Sequence, residues 1–284
     1  MTHDRDTESW FASVDSRDTT EVVSAVEHET AAEPESWPEI AVESGFAESQ
    51  AEYYDRLHET TVSATSEQVQ SAERADDQQI IHCVRAFDDC ERTANEVAER
   101  VGEWAGSLFD DVDTGVEGAR TLGRRDPEGP LERRVIDLAR TVSGLDDQRD
   151  ELRAYIETHL PTVAPNLAEM AGPLLAARLI ALAGGLKSLA RNPAGTVQVL
   201  GAEDALFAHL SGNAPSPKHG VIFTHEIVRG TRPEDRGSAA RAFAGKLVIA
   251  ARVDHYRGSY DPGIHEDLHD RMETIRAREM TADE

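Results

Sequence analysis

The chain has 284 residues, 39% of them apolar, and a formal net charge of −25 from 29 Lys plus Arg against 54 Asp plus Glu. That is enough apolar side chain for a buried core without requiring a single domain, and so negative a balance argues at first against a nucleic-acid surface. No apolar run approaches the ~20 residues of a membrane span, and the opening Met1–Trp10 is polar, so neither a signal peptide nor a membrane partner is expected and the protein is read as cytoplasmic.

Residues 1–47 are rich in Asp, Glu, Ser and Thr with sparse apolar anchors, Trp10-Phe11, Val22-Val23 and Trp37, and residues 48–75 read as a polar helix. From Ile80 the pattern sharpens. Ile80, Cys83, Phe87, Cys90, Ala94, Val97, Val101, Trp104 and Leu108 step by three and four, a heptad seam. Gly115, Gly118, Gly123, Pro127, Gly129 and Pro130 interrupt it, and a second seam runs from Leu131 through Val135, Leu138, Val142, Leu145 and Leu152 to Ile156, broken at Arg149. Two seams joined by a Gly/Pro loop predict an antiparallel helical hairpin over 76–160, with helices of one globular domain as the alternative reading of the same periodicity. Cys83 and Cys90 lie seven apart on one face, too far for a disulfide, and are read as reduced core residues. Pro161 and Pro165 mark the exit from the hairpin.

Charge changes along the chain. Residues 1–165 carry 15 basic and 39 acidic side chains, a net of −24, whereas 166–258 carry 11 basic and 7 acidic, a net of +4. All three lysines, Lys187, Lys218 and Lys246, fall in that second window. Within it, Thr196–Phe207 (TVQVLGAEDALF) places a Gly201-Ala202 turn before a new helix, an arrangement that leaves backbone N–H groups for phosphate. Gln198 is the one amide in an apolar run and can both donate to and accept from a base or sugar; the bland alternative is a surface polar residue. Arg241 and Arg252, eleven residues apart, share a helix face, unless Glu226, Glu234 or Asp235 pair with them. Lys218 and His219 sit in a Pro-bounded loop, where His219 could stack on a base or simply cap a turn. Amide donors and guanidinium groups on a small helical module point to RNA.

His265-Glu266-Asp267-Leu268-His269 fits the H-E-x-x-H zinc pattern, but its polar setting offers no closed cavity for a polarised water, so it is read as a solvated helix in an acidic tail and no metal is expected. Gly184-Gly185 inside an apolar pattern reads as close helix packing. No Gly-rich phosphate loop, nucleophile motif or methyl-donor signature is visible, so no enzyme activity and no cofactor are expected.

Four ordered segments carry a resemblance: Asn166–Arg191, Asn192–Phe207 (NPAGTVQVLGAEDALF), the PKHG of Pro217–Gly220, and Ala244–Tyr256 (AGKLVIAARVDHY). Together with Asp77–Phe109 they resemble the Nop-domain family, the scaffold proteins of box C/D guide-RNA particles. The likeness covers 76–258 and extends only weakly over the first 75 residues. It implies a mainly α protein divided into a reduced N-terminal α/β region (1–75) that docks fibrillarin, a coiled-coil hairpin (76–160), an all-helical Nop domain (161–258) and an acidic tail (259–284). It implies as partners a box C/D guide RNA, a fibrillarin-like methyltransferase, a kink-turn-binding ribosomal-type protein and a second copy of the chain. S-adenosylmethionine would sit on the methyltransferase, which performs 2′-O-methylation of ribosomal RNA and, as a second candidate, transfer RNA.

The RNA- and kink-turn-protein-binding set implied is Gln198, Gly201, Ala202, Glu203, Lys218, His219, Arg241, Lys246 and Arg252, and the homodimer seam is Ile80, Phe87, Val97, Val101 and Trp104. Two positions depart from the family pattern, Asp204 for a lysine and Ala208 for an arginine. At multimolar salt, where the Debye length is about 3 Å or less, shape and bidentate contacts outweigh point charges and such losses are tolerable. An acid-coated chain with lysine only in its basic window reads as adaptation to high intracellular salt, pointing to a halophilic archaeon. The alternative from another class is a coiled-coil assembly factor that does not touch RNA.

Overall fold

The computed structural model describes Phe11, Val14 and residues 19–28 and 35–280; the anchor Trp10 lies outside the described residues. The chain divides into two compact units, Met1–Ala75 and Asp76–Glu284.

The first unit contains α1 (Thr19–His28), α2 (Trp37–Glu43) and α3 (Gln50–Glu73). Its core is aromatic: Phe11 stacks on Phe46 with centroids 4.9 Å apart and meets Trp37 and Tyr53 edge-on. Ser49 caps α3 by accepting from the Glu52 N–H. The expected α/β character of this region is corrected: its described residues form helices and no strand. Buried Tyr53, Thr60 and Ala64 and half-buried Leu57 recur at helical spacing, and the apolar positions nowhere alternate.

The second unit opens with the hairpin, α4 (Asp76–Ala105) and α6 (Pro130–Val163), with the short α5 (Gly115–Leu122) at its tip. The start of α4 packs on the end of α6, Ile80, Val84 and Phe87 against Ile156 and Leu160. Near the tip, Ala94, Ala98 and Val101 meet Val135, Ile136, Ala139 and Val142. Between these apolar layers lies a charged node. Asp146, its side chain only 8% exposed, holds Arg120 of α5 and Arg149 of α6, each at 2.5 Å. The break in the second seam at Arg149 is therefore an ion-pair layer fed from the tip helix. A buried carboxylate is tolerable there because two guanidinium groups compensate it.

This packing corrects the assignment of a dimer seam. Ile80, Phe87 and Val101 are 1%, 0% and 1% exposed in a single chain, and Val97 packs half-buried in the tip cluster. Only Trp104 of that set is exposed, at 38%. In a hairpin, each seam is covered by the returning helix, and the large apolar side chains left exposed on it are Trp104, Leu131 and Tyr155. Cys83 and Cys90 are free and half-buried on α4, and burial raises the Cys83 thiol above its ordinary value.

Helix α6 continues through Pro161, and the chain turns at Ala164 into α7 (Pro165–Ala171) and α8 (Pro173–Ala183). Gly184 and Gly185, both at positive φ, form the break before α9 (Leu186–Arg191), whose first N–H donates to Asp77 of α4 at 2.9 Å. There follow α10 (Ala194–Val199), α11 (Glu203–Leu210), a 3-10 turn (Val221–Thr224), α12 (Glu226–Arg229), α13 (Arg236–Tyr256) and α14 (Pro262–Met280). Helix α13 is the hub, packed by α7, α9, α10, α12 and α14. Its inward residues are largely alanine, Ala239, Ala240, Ala244, Ala250 and Ala251, which lets neighbouring helices approach from several sides. At its end buried Asp254 accepts from the N–H groups of Asn166 and Leu167 and from the Asn166 amide, capping α7. Burial raises the Asp254 pKa, and these three donors oppose the shift.

The C-terminal segment is not a solvated tail. Ile264, Leu268, Met272 and Ile275 of α14 are at most 6% exposed and belong to the main core. Their spacing of four, four and three makes a stripe that the surrounding charges obscure in the sequence. No single helix among the described residues is long and apolar enough to cross a membrane, and the one bent apolar pair, α7 with α8, contributes Leu167, Met170, Leu179 and Ile180 to the core.

Candidate nucleic-acid interface

Three hydrogen bonds staple the end of α10 to the loop Pro217–Val221. Gln198 Nε2 donates to the Lys218 carbonyl at 2.7 Å, Gly220 N–H to the Gln198 carbonyl at 2.9 Å, and Val221 N–H to the Leu200 carbonyl at 2.7 Å. The two chain segments run so close that a Cβ on Gly220 would sit 1.9 Å from the Leu200 oxygen. Only glycine fits, which explains the last residue of the PKHG segment. Gly201 turns the chain at φ +78° into α11.

The staple organises a surface groove of about 550 Å³ lined by Thr196, Gln198, Leu206, Ser216, Lys218 and Arg241, among others. Sequence-predicted Gln198, Lys218 and Arg241 are thus brought together. Lys218 and Arg241 are exposed and have no ion-pair partner among the described residues. Of the acids that could have neutralised Arg241, Glu226 pairs with Arg229 and Glu234 with Arg232, and Asp235 forms no ion pair with it. His219 lies beside the groove but stacks on Phe223 at 4.4 Å, and Arg236 covers the same Phe223 ring at 5.3 Å. Burial, then the charges of Arg236 and Lys218, lower the His219 pKa, so the ring stays neutral near neutrality.

The rest of the predicted set is used differently. The turn amides are not free: Gly201 N–H donates to Glu203 Oε1 at 2.8 Å and Ala202 N–H to the Val199 carbonyl at 2.9 Å. Glu203 therefore occupies the position expected for phosphate, and its carboxylate closes the turn. Lys246 pairs with Asp267 of α14 at 2.6 Å and fastens that helix to α13. Arg252 Nε donates to the Ala190 carbonyl at 2.9 Å, satisfying the C-terminal turn of α9.

Two features escaped the sequence. Arg236 stands on the Phe223–His219 stack, with a spacing to Arg241 that carries no motif. Helix α11 buries none of its residues; its Phe207 and Leu210 are 73% and 75% exposed, the most exposed large apolar side chains described. Their signal was an apolar helix with no second apolar face to explain it. His265 and His269 are exposed on α14, His269 lies 3.2 Å from Glu273, and no group of three His, Cys, Asp or Glu is poised for a metal among the described residues.

The fold and this groove define a mainly α, two-unit protein that carries a helical hairpin beside a compact module with a cationic groove. Residues 126–274 match the family described as Nop, snoRNA binding domain, fibrillarin. The chain is 33% identical over 276 residues to an uncharacterised NOP5 family protein of Methanocaldococcus jannaschii, covering 84% of this chain and 67% of that one. It is 31% identical over 216 residues to nucleolar protein 58 of Botryotinia fuckeliana and 30% over 245 to probable nucleolar protein 5-1 of Arabidopsis thaliana, spanning 38% and 46% of those longer proteins. Its fold matches a chain of a crystallised fibrillarin/Nop5p complex with a TM-score of 0.53 and 24% identity, covering 90% of this chain and 91% of that one. The chain belongs to the Nop family.

Proposed function

We propose that this chain is a non-catalytic scaffold of a box C/D ribonucleoprotein. Its groove grips guide RNA together with a kink-turn-binding protein, and its N-terminal unit recruits a fibrillarin-like methyltransferase that carries S-adenosylmethionine and methylates ribosomal RNA, with transfer RNA as a second target class. The observation that carries the reading is the pair Lys218 and Arg241, without an ion-pair partner among the described residues and gathered with Gln198 in one groove within the net-positive window 166–258 of a chain of charge −25. Two such cations that converge on one groove suit an external anion, and the guanidinium fork suits phosphate.

Exposed Phe207 and Leu210 on α11 adjoin the groove through Leu206 and suit an apolar patch on the kink-turn protein. Protein contact there and RNA contact in the groove make one composite surface. Asp204 and Ala208, on the same helix, leave it without the basic residues of the family pattern, so affinity at that end rests on shape more than charge. The test is a pull-down of the full chain at molar KCl with sequencing of co-purified RNA. Enrichment of kink-turn guide RNAs supports the scaffold; recovery of protein partners with no enriched RNA favours an assembly factor and contradicts it.

A further inference from the structure

The staple has a second side. Gly201, Gly220 and Val221, with Val84, Arg85 and Asp88 of α4 and Arg178 and Leu182 of α8, line a cleft of about 530 Å³. We propose that this cleft is a second subsite that takes one unpaired nucleotide of the RNA held in the groove, its base on Leu182 and its phosphate on Arg85. The inference rests on the RNA reading above and adds to it a place, a ligand unit and named contacts.

Three observations carry it. First, the cleft is open by construction: Gly201 and Gly220 contribute backbone without side chains, and Leu182 stands 45% exposed as an apolar platform. Its size falls within the range of small-ligand sites. Second, the wall opposite is polar and fixed. Arg178 donates through both Nε and Nη2 to one oxygen of Asp88, at 3.1 and 2.5 Å, and its guanidinium lies over the Phe87 ring at 5.6 Å. That arrangement leaves the second carboxylate oxygen of Asp88 beside a guanidinium donor. An acceptor next to a donor is the complement of the edge that every nucleobase presents. Third, Arg85, one helical turn before Asp88, is exposed and has no ion-pair partner among the described residues. An apolar platform, a donor–acceptor edge and a free cation suit a nucleotide, and each suits a different part of it. Groove and cleft share the staple as a common wall, Lys218 on one side and Gly220 on the other, so a single strand crossing it reaches both.

The experiment uses the full chain assembled with a kink-turn RNA and its binding protein at high KCl. Ultraviolet crosslinking with peptide mapping should mark the α4 segment around Arg85 or the α8 segment around Leu182. Leu182→Trp, which fills the cleft from a half-exposed position, and Arg85→Glu should each weaken assembly about tenfold, the range of one stacking or charge-assisted contact, with helicity unchanged by circular dichroism. Arg241→Ala in the groove is the control. If it weakens binding while both cleft variants bind as wild type, the subsite is wrong and the RNA reading stands. If none of the three matters and nothing crosslinks, both fail. If Leu182→Trp weakens assembly and no nucleotide crosslinks to α4 or α8, a protein side chain fills the cleft and the nucleotide assignment is overturned.

Discussion

The hairpin and the module that follows it differ in charge balance and in where their unpaired cations gather. In residues 76–165, 21 acids face 11 arginines and no lysine, and Arg92, Arg100, Arg120, Arg140 and Arg149 are all held by carboxylates. In 166–258, bases exceed acids, and Lys218 and Arg241 converge on a groove with no carboxylate bound to them. The difference teaches that net charge describes a chain poorly. A total of −25 hides a positive window whose cations divide further, Lys246 and Arg252 holding helices together while Lys218 and Arg241 stay available.

The largest expected effect breaks the hairpin side of this comparison. Phe87→Asp removes an aromatic ring that is 0% exposed in the core, and should cost about 3–5 kcal/mol, the range for truncating a buried Phe. Thermal melts followed by circular dichroism at molar KCl would register it as early loss of helix. A variant that melts like wild type and changes only its oligomeric state would return Phe87 to a dimer interface.

Removing salt should come next. With a net of −24 on residues 1–165, self-repulsion is unscreened at 0.01 M, where the Debye length is about 30 Å. Helix content should fall on dialysis from molar to millimolar KCl and recover when salt returns. Constant helicity across that range would contradict adaptation to high salt.

Asp254→Ala, which leaves three donors at the start of α7 without their acceptor, should lower stability by about 1–3 kcal/mol in a denaturant titration. A loss under a few tenths would show that water replaces the cap.

The smallest effect is a pH dependence. His225, stacked on Phe243 at 4.6 Å, accepts from the Ile227 N–H, and burial depresses its pKa below the ordinary 6.5, as burial and nearby cations do for His219. A histidine whose folded pKa is depressed contributes stability that is fully present above the unfolded value. That contribution is lost as pH falls through the lower folded value. Asp254 runs the other way: its raised folded pKa favours the fold at low pH and less so as pH rises through it. Melts across pH 7 to 5 should therefore show a decline that His225→Gln reduces. An unchanged decline would assign it to other groups.

Much of this was legible in the residues. Steps of three and four from Ile80 to Leu108 gave the hairpin, because helical burial leaves a periodic trace. The same trace cannot say what covers the stripe, and so Ile80, Phe87 and Val101 read equally well as a dimer seam. The node at Asp146 needs Arg120, 26 residues away, and only the fold brings them together. Arg241 and Lys246 look alike in sequence, and what separates them is Asp267, on a helix whose apolar stripe was hidden among charges. Gln198, Lys218 and Arg241 were recognisable singly from residue type and setting; their convergence came from Gly220, where two backbones touch. The turn at Gly201 misled because an N–H open by helix geometry was taken by Glu203, two residues on.

The most direct test sets Arg241→Ala against Lys246→Ala, two cations on one helix, the first unpaired in the groove and the second bound to Asp267. Each variant is titrated with a preformed complex of kink-turn RNA and its protein, at two KCl concentrations high enough to keep the chain folded. Arg241→Ala should weaken binding by about 1–3 kcal/mol, the range of a charge-assisted hydrogen bond, and Lys246→Ala should leave it within a few tenths. Equal binding by wild type and Arg241→Ala at both concentrations would make the groove structural and contradict its assignment to RNA.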